Sequence, residues 1–172
     1  LMLIPTAETA LVGMHANEIF KEEDLPIKYV AFSPCFRREA GTHGKRDRGL
    51  KRVHQFHKIE IFTICTPEQA QALHEQMVLE VSQMLEGLGV KYRHRSLDDK
   101  ERSPMSINTI DIELEYEDEW LEVSSISNMA DNQSKRAQIR YKPKNGGKNK
   151  KVFLLNGSGV AMPRLLLALT KS

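Results

Sequence analysis

Apolar residues recur at Ala70, Leu73, Met77, Val81, Met84, Leu85 and Leu88, the spacing of one helix face. They follow a start signal in Thr66-Pro67-Glu68-Gln69, where Thr66 can cap, Pro67 suits the first helical position and Gln69 completes a capping box. Gly87 and Gly89 end the run. A second helix is predicted over residues 10–21 and a third over 159–170, where Pro163 is tolerable because it falls within the first turns. Between them lie strand-like runs at 28–32, 53–64, 90–95, 107–116, 120–124, 137–141 and 152–155. Several alternate with period two, and few have the unbroken apolar character of parallel strands. Long hairpin-like strands with a few helices predict an α+β fold, an antiparallel β-sheet flanked by helices. Residues 142–151, with Asn145-Gly146-Gly147 at the centre, read as a hairpin loop or a flexible excursion.

Composition changes this picture little. At 172 residues the chain can bury a core and counts as one domain. Its longest apolar run, around 160–169, falls well short of the roughly 20 residues of a membrane span. The apolar start at Leu1 has no basic leader, and Cys35 and Cys65 have no Cys-x-x-Cys partner. The expectation is a cytoplasmic protein whose cysteines are small buried hydrophobes.

Charge is more informative, because a net charge of +2 conceals segregation. Residues 37–52 hold seven Arg/Lys against Glu39 and Asp47, residues 98–122 hold ten acids against Lys100 and Arg102, and residues 135–151 hold eight bases and no acid. Such blocks suit either a solvated surface or a polyanionic ligand neutralised by arginine and metal.

The motifs decide between these. Cys35-Phe36-Arg37-Arg38-Glu39, a basic loop to Arg52, and Val53-His54-Gln55-Phe56-His57-Lys58-Ile59-Glu60 read as a strand, a loop and a returning strand. Alternation puts His54, Phe56, Lys58 and Glu60 on one face, and with Arg37 alongside that face could hold a planar base, a phosphate and an amine. Read alone, the stretch could equally be a hairpin with a solvated face and one buried Phe. Glu122 and Ser125 offer hard oxygen ligands suited to magnesium, but they meet one ion only if the strand ends or bulges there. Asn156-Gly157-Ser158-Gly159 reads as a glycine turn leading a strand into the helix of Arg164, a weak phosphate-cradling signal. Thr6, Glu8 and Ser158 could also serve only as helix caps and a first-turn acid. His54 and His57 face opposite sides of a strand with no cysteine to join them, so no zinc is expected.

Taken together, Arg37 with Glu39, the loop, Arg52-Val53-His54-Gln55-Phe56 and Glu60 resemble motif 2 of the class II aminoacyl-tRNA synthetases. Asn156-Gly157-Ser158-Gly159-Val160-Ala161-Met162-Pro163-Arg164 resembles motif 3. Pro5-Thr6-Ala7-Glu8, Gly49-Leu50, His54-Gln55-Phe56 and Glu122-Val123-Ser124-Ser125 are similar to the seryl-tRNA synthetase family in particular. The resemblance implies a partial class II catalytic core over residues 1–172, with motif 1 and the N-terminal tRNA-binding arm outside it. It also implies serine activation with ATP and Mg²⁺, seryl transfer to the 3′-terminal adenosine of tRNA(Ser), and a homodimeric parent.

By resemblance, Arg37 and Arg164 are catalytic. Arg37 holds the α-phosphate and the serine carboxylate, while Phe56 stacks under adenine with Arg164 on the other face. Glu39 takes the adenine amino group, Arg52 serves the outer phosphates, and Glu122 and Ser125 hold the magnesium that accompanies ATP. Thr6, Glu8, Arg37, Glu60, Asn156 and Ser158 form the serine pocket, and Lys45, Arg46, Arg48 and Lys51 meet the tRNA acceptor end. The chain departs from the family at Asp98-Asp99-Lys100-Glu101, Asn108 and Ile110. The alternatives are a prolyl or threonyl enzyme, a paralogue that binds ATP or adenylate without charging tRNA, and a basic nucleic-acid-binding domain.

Overall fold

The computed structural model describes residues 2–39 and 49–170. In chain order its elements are α1 (Glu8–Met14), β1 (Ile19–Lys21), β2 (Ile27–Phe36), β3 (Gln55–Cys65), α2 (Ala70–Gly87), β4 (Tyr92–Ser96), β5 (Asn108–Tyr116), β6 (Glu119–Asn128), α3 (Asn132–Ala137), β7 (Arg140–Lys142), β8 (Lys150–Lys151), β9 (Phe153–Ala161) and α4 (Met162–Leu169). Six strands form one sheet in the order β2-β3-β9-β6-β5-β4, with every neighbouring pair antiparallel. This is the α+β antiparallel architecture the alternating patterns predict. A small second sheet sets β1 parallel to β7, with β8 hairpinned onto β7 as the loop signal at 142–151 implies.

Each face of the large sheet is covered differently. On one face, Ala70, Met77, Val81 and Leu85 of α2 pack with Ile112, Leu114, Val123, Ile126, Leu155 and Val160, and α4 adds Leu165 and Ala168. On the other, Ala7 and Leu11 join Phe20, Phe62, Ile64, Met129, Tyr141 and Leu154 in a second cluster. Cys35 and Cys65 are free and buried, and burial pushes the Cys65 thiol up to about 12.

Only half of the predicted capping box forms at α2: the Thr66 N–H donates to Gln69 Oε1 at 3.0 Å, but residues 67–69 make a turn and the helix begins at Ala70 without a side-chain cap. Three further local expectations are corrected. The first helix stops at Met14 rather than near residue 21: Asn17 turns left-handed (φ 68°) and donates its N–H to the Ala137 carbonyl, so that 19–21 become a strand and Phe20 is buried. The strand predicted over 137–141 is displaced: Ala137 ends the short helix α3 (Asn132–Ala137), which Gln138 closes at φ 57°, and β7 runs from Arg140 to Lys142. Residues 156–159 are not a turn. They lie inside β9, and the last helix begins only at Met162.

Candidate active site

Residues opposite one another in an antiparallel pair project to the same side of the sheet. The register sets Cys35 against Phe56, Ser33 against Lys58, Glu60 against Ser158 and Phe62 against Asn156. Asn156 in turn faces Ser127, and Ser125 faces Asp111. Phe56, Lys58, Glu60, Asn156, Ser158 and Ser125 therefore share one face, as alternation along β3 predicts. Arg37 joins them just past β2, where its N–H donates to the His54 carbonyl.

Two irregularities shape this face. Ile112 pairs with Ser124 but Glu113 pairs with Glu122, which leaves Val123 as an extra residue in β6. The bulge turns Glu122 to the side of Ser125, the condition under which the two can meet one ion. In β9 the register slips likewise: Ile59 faces Val160 and Glu60 faces Ser158. The extra residue is Gly159. A Cβ there would lie 3.0 Å from Ile59 Cγ2, and one on Gly157 would lie 2.9 Å from Ile126 Cγ1. These glycines let β9 pass close to its neighbours and do not make a turn.

At one end of the face sits a cluster of short polar groups around a fully buried carboxylate, Glu60. The Thr6 hydroxyl donates to Glu60 Oε2 at 2.6 Å, the Asn156 amide donates to Oε1 at 2.9 Å, and the Lys58 ammonium lies 2.5 Å from Oε2. Lys58 also donates to Thr6 Oγ1 at 3.1 Å. Glu8 stands beside them, with the Gln133 amide donating to its Oε1 at 2.5 Å. Loss of water raises the Glu8 carboxyl above the usual carboxylate range, the Gln133 bond opposes this, and Glu60 adds to it. Thr6 also accepts the Glu8 N–H at 3.3 Å, so one hydroxyl bonds both the start of α1 and Glu60.

Next to this cluster opens a cavity of about 280 Å³, lined among others by Arg37, Glu39, Phe56, Glu122, Ser158 and Arg164. The Arg37 guanidinium lies over the Phe56 ring, 5.2 Å from its centroid. Arg164 donates to the Glu122 carbonyl at 2.5 Å and to the Lys51 carbonyl at 3.4 Å, so the cation over Phe56 is Arg37. Arg52 is ion-paired with Glu39. Ser125 Oγ donates to Asp111 Oδ1 at 2.6 Å. The Glu122 and Asp111 carboxyls are both raised, first by loss of water. Asp111 raises Glu122 further, while Arg164 and Arg37 oppose it. Hard oxygens that repel one another are a set a divalent cation suits, and in this respect the residues fit magnesium. Among the described residues no three His, Cys, Asp or Glu side chains converge to hold a metal by themselves.

Other candidates lie elsewhere. Lys51 reaches the cavity, but its ammonium is paired with Glu119 at 2.8 Å and lies over Tyr116. Lys45, Arg46 and Arg48 lie outside the described residues. His57 in β3 stacks on Phe32, while His54 lies in a bend before that strand, off the face alternation predicts for it, and meets the Arg37 carbonyl. Two residues of the cluster have no role in the sequence reading. Alternation alone puts Lys58 on the right face. Gln133 gives no local signal, since only the fold of α3 against α1 carries it to Glu8.

The family model for the tRNA synthetase class II core domain (G, H, P, S and T) matches residues 1–172. The serine–tRNA ligase of Chlamydia abortus is 50% identical over 174 residues, which take in 100% of this chain and 41% of that protein. That of Chlamydia muridarum is 47% identical, with 100% and 40% covered. Among solved structures, seryl-tRNA synthetase from Pyrococcus horikoshii complexed with ATP superposes with a TM-score of 0.92 at 40% identity, over 96% of this chain and 37% of that one. Cytoplasmic serine–tRNA ligase from Naegleria fowleri in complex with AMP gives 0.88 at 31% identity, with 96% and 40% covered. The chain thus spans about two fifths of the length of the curated relatives it matches.

Proposed function

The chain belongs to the class II tRNA synthetase core-domain family, and we propose that it forms the adenylating centre of a serine–tRNA ligase. The observation that carries this reading is the continuity of one sheet face. A buried carboxylate ringed by Thr6, Asn156 and Lys58 adjoins a cavity with an aromatic ring, two arginines and paired hard oxygens. An ammonium and a hydroxyl suit the first part, and a nucleotide suits the second. A pocket that hydrogen-bonds a hydroxyl rejects an analogue lacking it by roughly 10⁴-fold in favourable cases.

In the proposed reaction a serine carboxylate oxygen attacks the α-phosphorus of ATP, the bond to the β-phosphate oxygen breaks, and pyrophosphate leaves. A terminal hydroxyl of tRNA(Ser) then attacks the seryl carbonyl, AMP leaves, and the hydroxyl proton passes to solvent. Neither step needs a covalent bond to the protein, so positioning and charge stabilisation supply the acceleration. Phe56 offers adenine its ring, and a base taking that face would release the Arg37 guanidinium towards the α-phosphate and the serine carboxylate. Glu39 faces the adenine amino group. Arg52 and Arg164 serve the outer phosphates. Thr6, Glu8, Glu60, Asn156 and Ser158 enclose the amino acid. Glu122 and Ser125 would hold magnesium, which supplies charge neutralisation between phosphates when bound.

The same reading makes Lys45, Arg46, Arg48 and Lys51 contacts of the acceptor end, and the whole enzyme a cytoplasmic homodimer. Among the described residues no helix is long and apolar enough to cross a membrane. The test is serine-dependent ATP–pyrophosphate exchange by the full-length protein, followed by seryl transfer to tRNA. Exchange without transfer would support the paralogue that only makes or binds adenylate.

A further inference from the structure

Glu60 is fully buried, yet three donors converge on its carboxylate: Lys58 and Thr6 on Oε2 and Asn156 on Oε1. A buried carboxylate is costly unless a cation and hydrogen-bond donors compensate it. Lys58 is itself buried and is the ion-pair partner the structure gives Glu60. Its second bond goes to Thr6 Oγ1, which donates to Glu60 and accepts from the Glu8 N–H. A hydroxyl has one donor and two acceptor sites, so Thr6 is saturated by protein groups and acts here as a strut.

The lone-pair inventory then narrows what Glu60 can do. An ionised carboxylate has about four acceptor sites, and three are taken, which leaves about one on Oε1 for a substrate. Two charges of opposite sign also make the pair neutral, so the subsite offers that acceptor without an uncompensated buried charge.

Resting on the functional reading above, we propose that Lys58 is a positioning residue of the amino-acid subsite. It holds Glu60 Oε2 directly and through Thr6, fixing the carboxylate in orientation so that the free lone pair on Oε1 accepts from the substrate's ammonium or hydroxyl. Lys58 acts through Glu60 and Thr6 and has no part in the phosphate chemistry. Its loss changes amino-acid recognition and leaves nucleotide recognition largely as it is.

The experiment compares the full-length protein with Lys58→Met (K58M), K58Q, K58R, E60Q and K58M/E60Q in ATP–pyrophosphate exchange. A parent that fails to exchange with serine overturns the functional reading itself. With a serine-active parent, the remaining outcomes concern Lys58 alone. Hydrogen bonds to charged groups set the scale, so KM for serine in K58M is expected to rise roughly 10- to 100-fold. KM for ATP is expected to stay within about threefold of the parent, as separate sites behave nearly additively. K58R restores much of the affinity, and K58M adds little in the E60Q background. K58Q, which keeps a donor but no charge, carries the same test if K58M does not fold. The proposal is overturned if KM for both substrates rises together, if K58R is no better than K58Q, or if the E60Q and K58M losses multiply.

Discussion

Phe56 lies partly buried near the start of β3 with the Arg37 guanidinium over its ring. A core phenylalanine would be enclosed by apolar groups, whereas this ring lines the cavity beside Arg37 and Glu122. Phe56→Ala is accordingly expected to weaken ATP binding by about 1–3 kcal/mol, the scale of base–aromatic stacking, with a much smaller effect on serine. Calorimetric titration with each ligand checks this. A variant that loses its cooperative melt instead of its ATP affinity would place Phe56 in the core. Contact chemistry of this kind was legible in the sequence, because a strand's alternation fixes which side chains are neighbours. The partner over the ring was not: Arg37 occupies the place the family resemblance assigns to an adenine held by Arg164, and only coordinates distinguish the two arrangements.

At the level of elements, β9 carries the most demanding geometry. Gly157 faces Ile126 across the sheet, and a Cβ at this position would sit 2.9 Å from Ile126 Cγ1. Ile126 is fully buried in the cluster under α2, so a shift there disturbs packed neighbours. Gly157→Ala should therefore destabilise the protein by about 1–3 kcal/mol, the usual cost of overpacking. Removing the obstacle in Ile126→Ala should shrink that cost, and denaturant midpoints of the two single variants and the double variant measure the coupling. If Gly157→Ala cost no stability in either background, the packing explanation would be contradicted. The same strand shows where sequence reading ran short. Asn-Gly-Ser-Gly has the local chemistry of a turn, and only the close approach of β3 and β6 explains why these glycines stay extended. Long elements such as α2 were legible because their periodicity extends over many residues. Helix α1 was overextended because Ile19 and Phe20 continue an apolar pattern after the chain has turned at Asn17. The six-residue α3 has no stripe long enough to register.

For the whole molecule, the segregated charges divide between ordinary surface pairing and the site. Several acids of this stretch are ion-paired: Glu113 with Arg93, Glu115 with Lys91, Glu101 with Arg95 and Glu119 with Lys51. Asp111 and Glu122 instead face the cavity side of the sheet with Ser125. The described flanks of the basic segment, Glu39 and Leu50, Lys51 and Arg52, line this cavity, and on the proposed reading its Lys45 and Arg46 would meet phosphates rather than bases. Reversing both charges to Glu in the full-length protein should leave serine-dependent exchange nearly intact and lower transfer to tRNA. The salt dependence of tRNA binding should flatten by roughly one unit of slope per lost phosphate contact. Filter-binding across a salt series checks this, and a parallel fall of exchange and transfer would assign the loop to ATP or to folding.

Whether one polar sheet face joins a hydroxyl-amino-acid subsite to a nucleotide subsite is decided by amino-acid-dependent ATP–pyrophosphate exchange with the full-length protein. Serine is expected to drive exchange strongly, with threonine and proline driving it only poorly. Equal exchange with proline would contradict the assignment of the Glu60 subsite, and no exchange with any amino acid would contradict the adenylating centre as a whole.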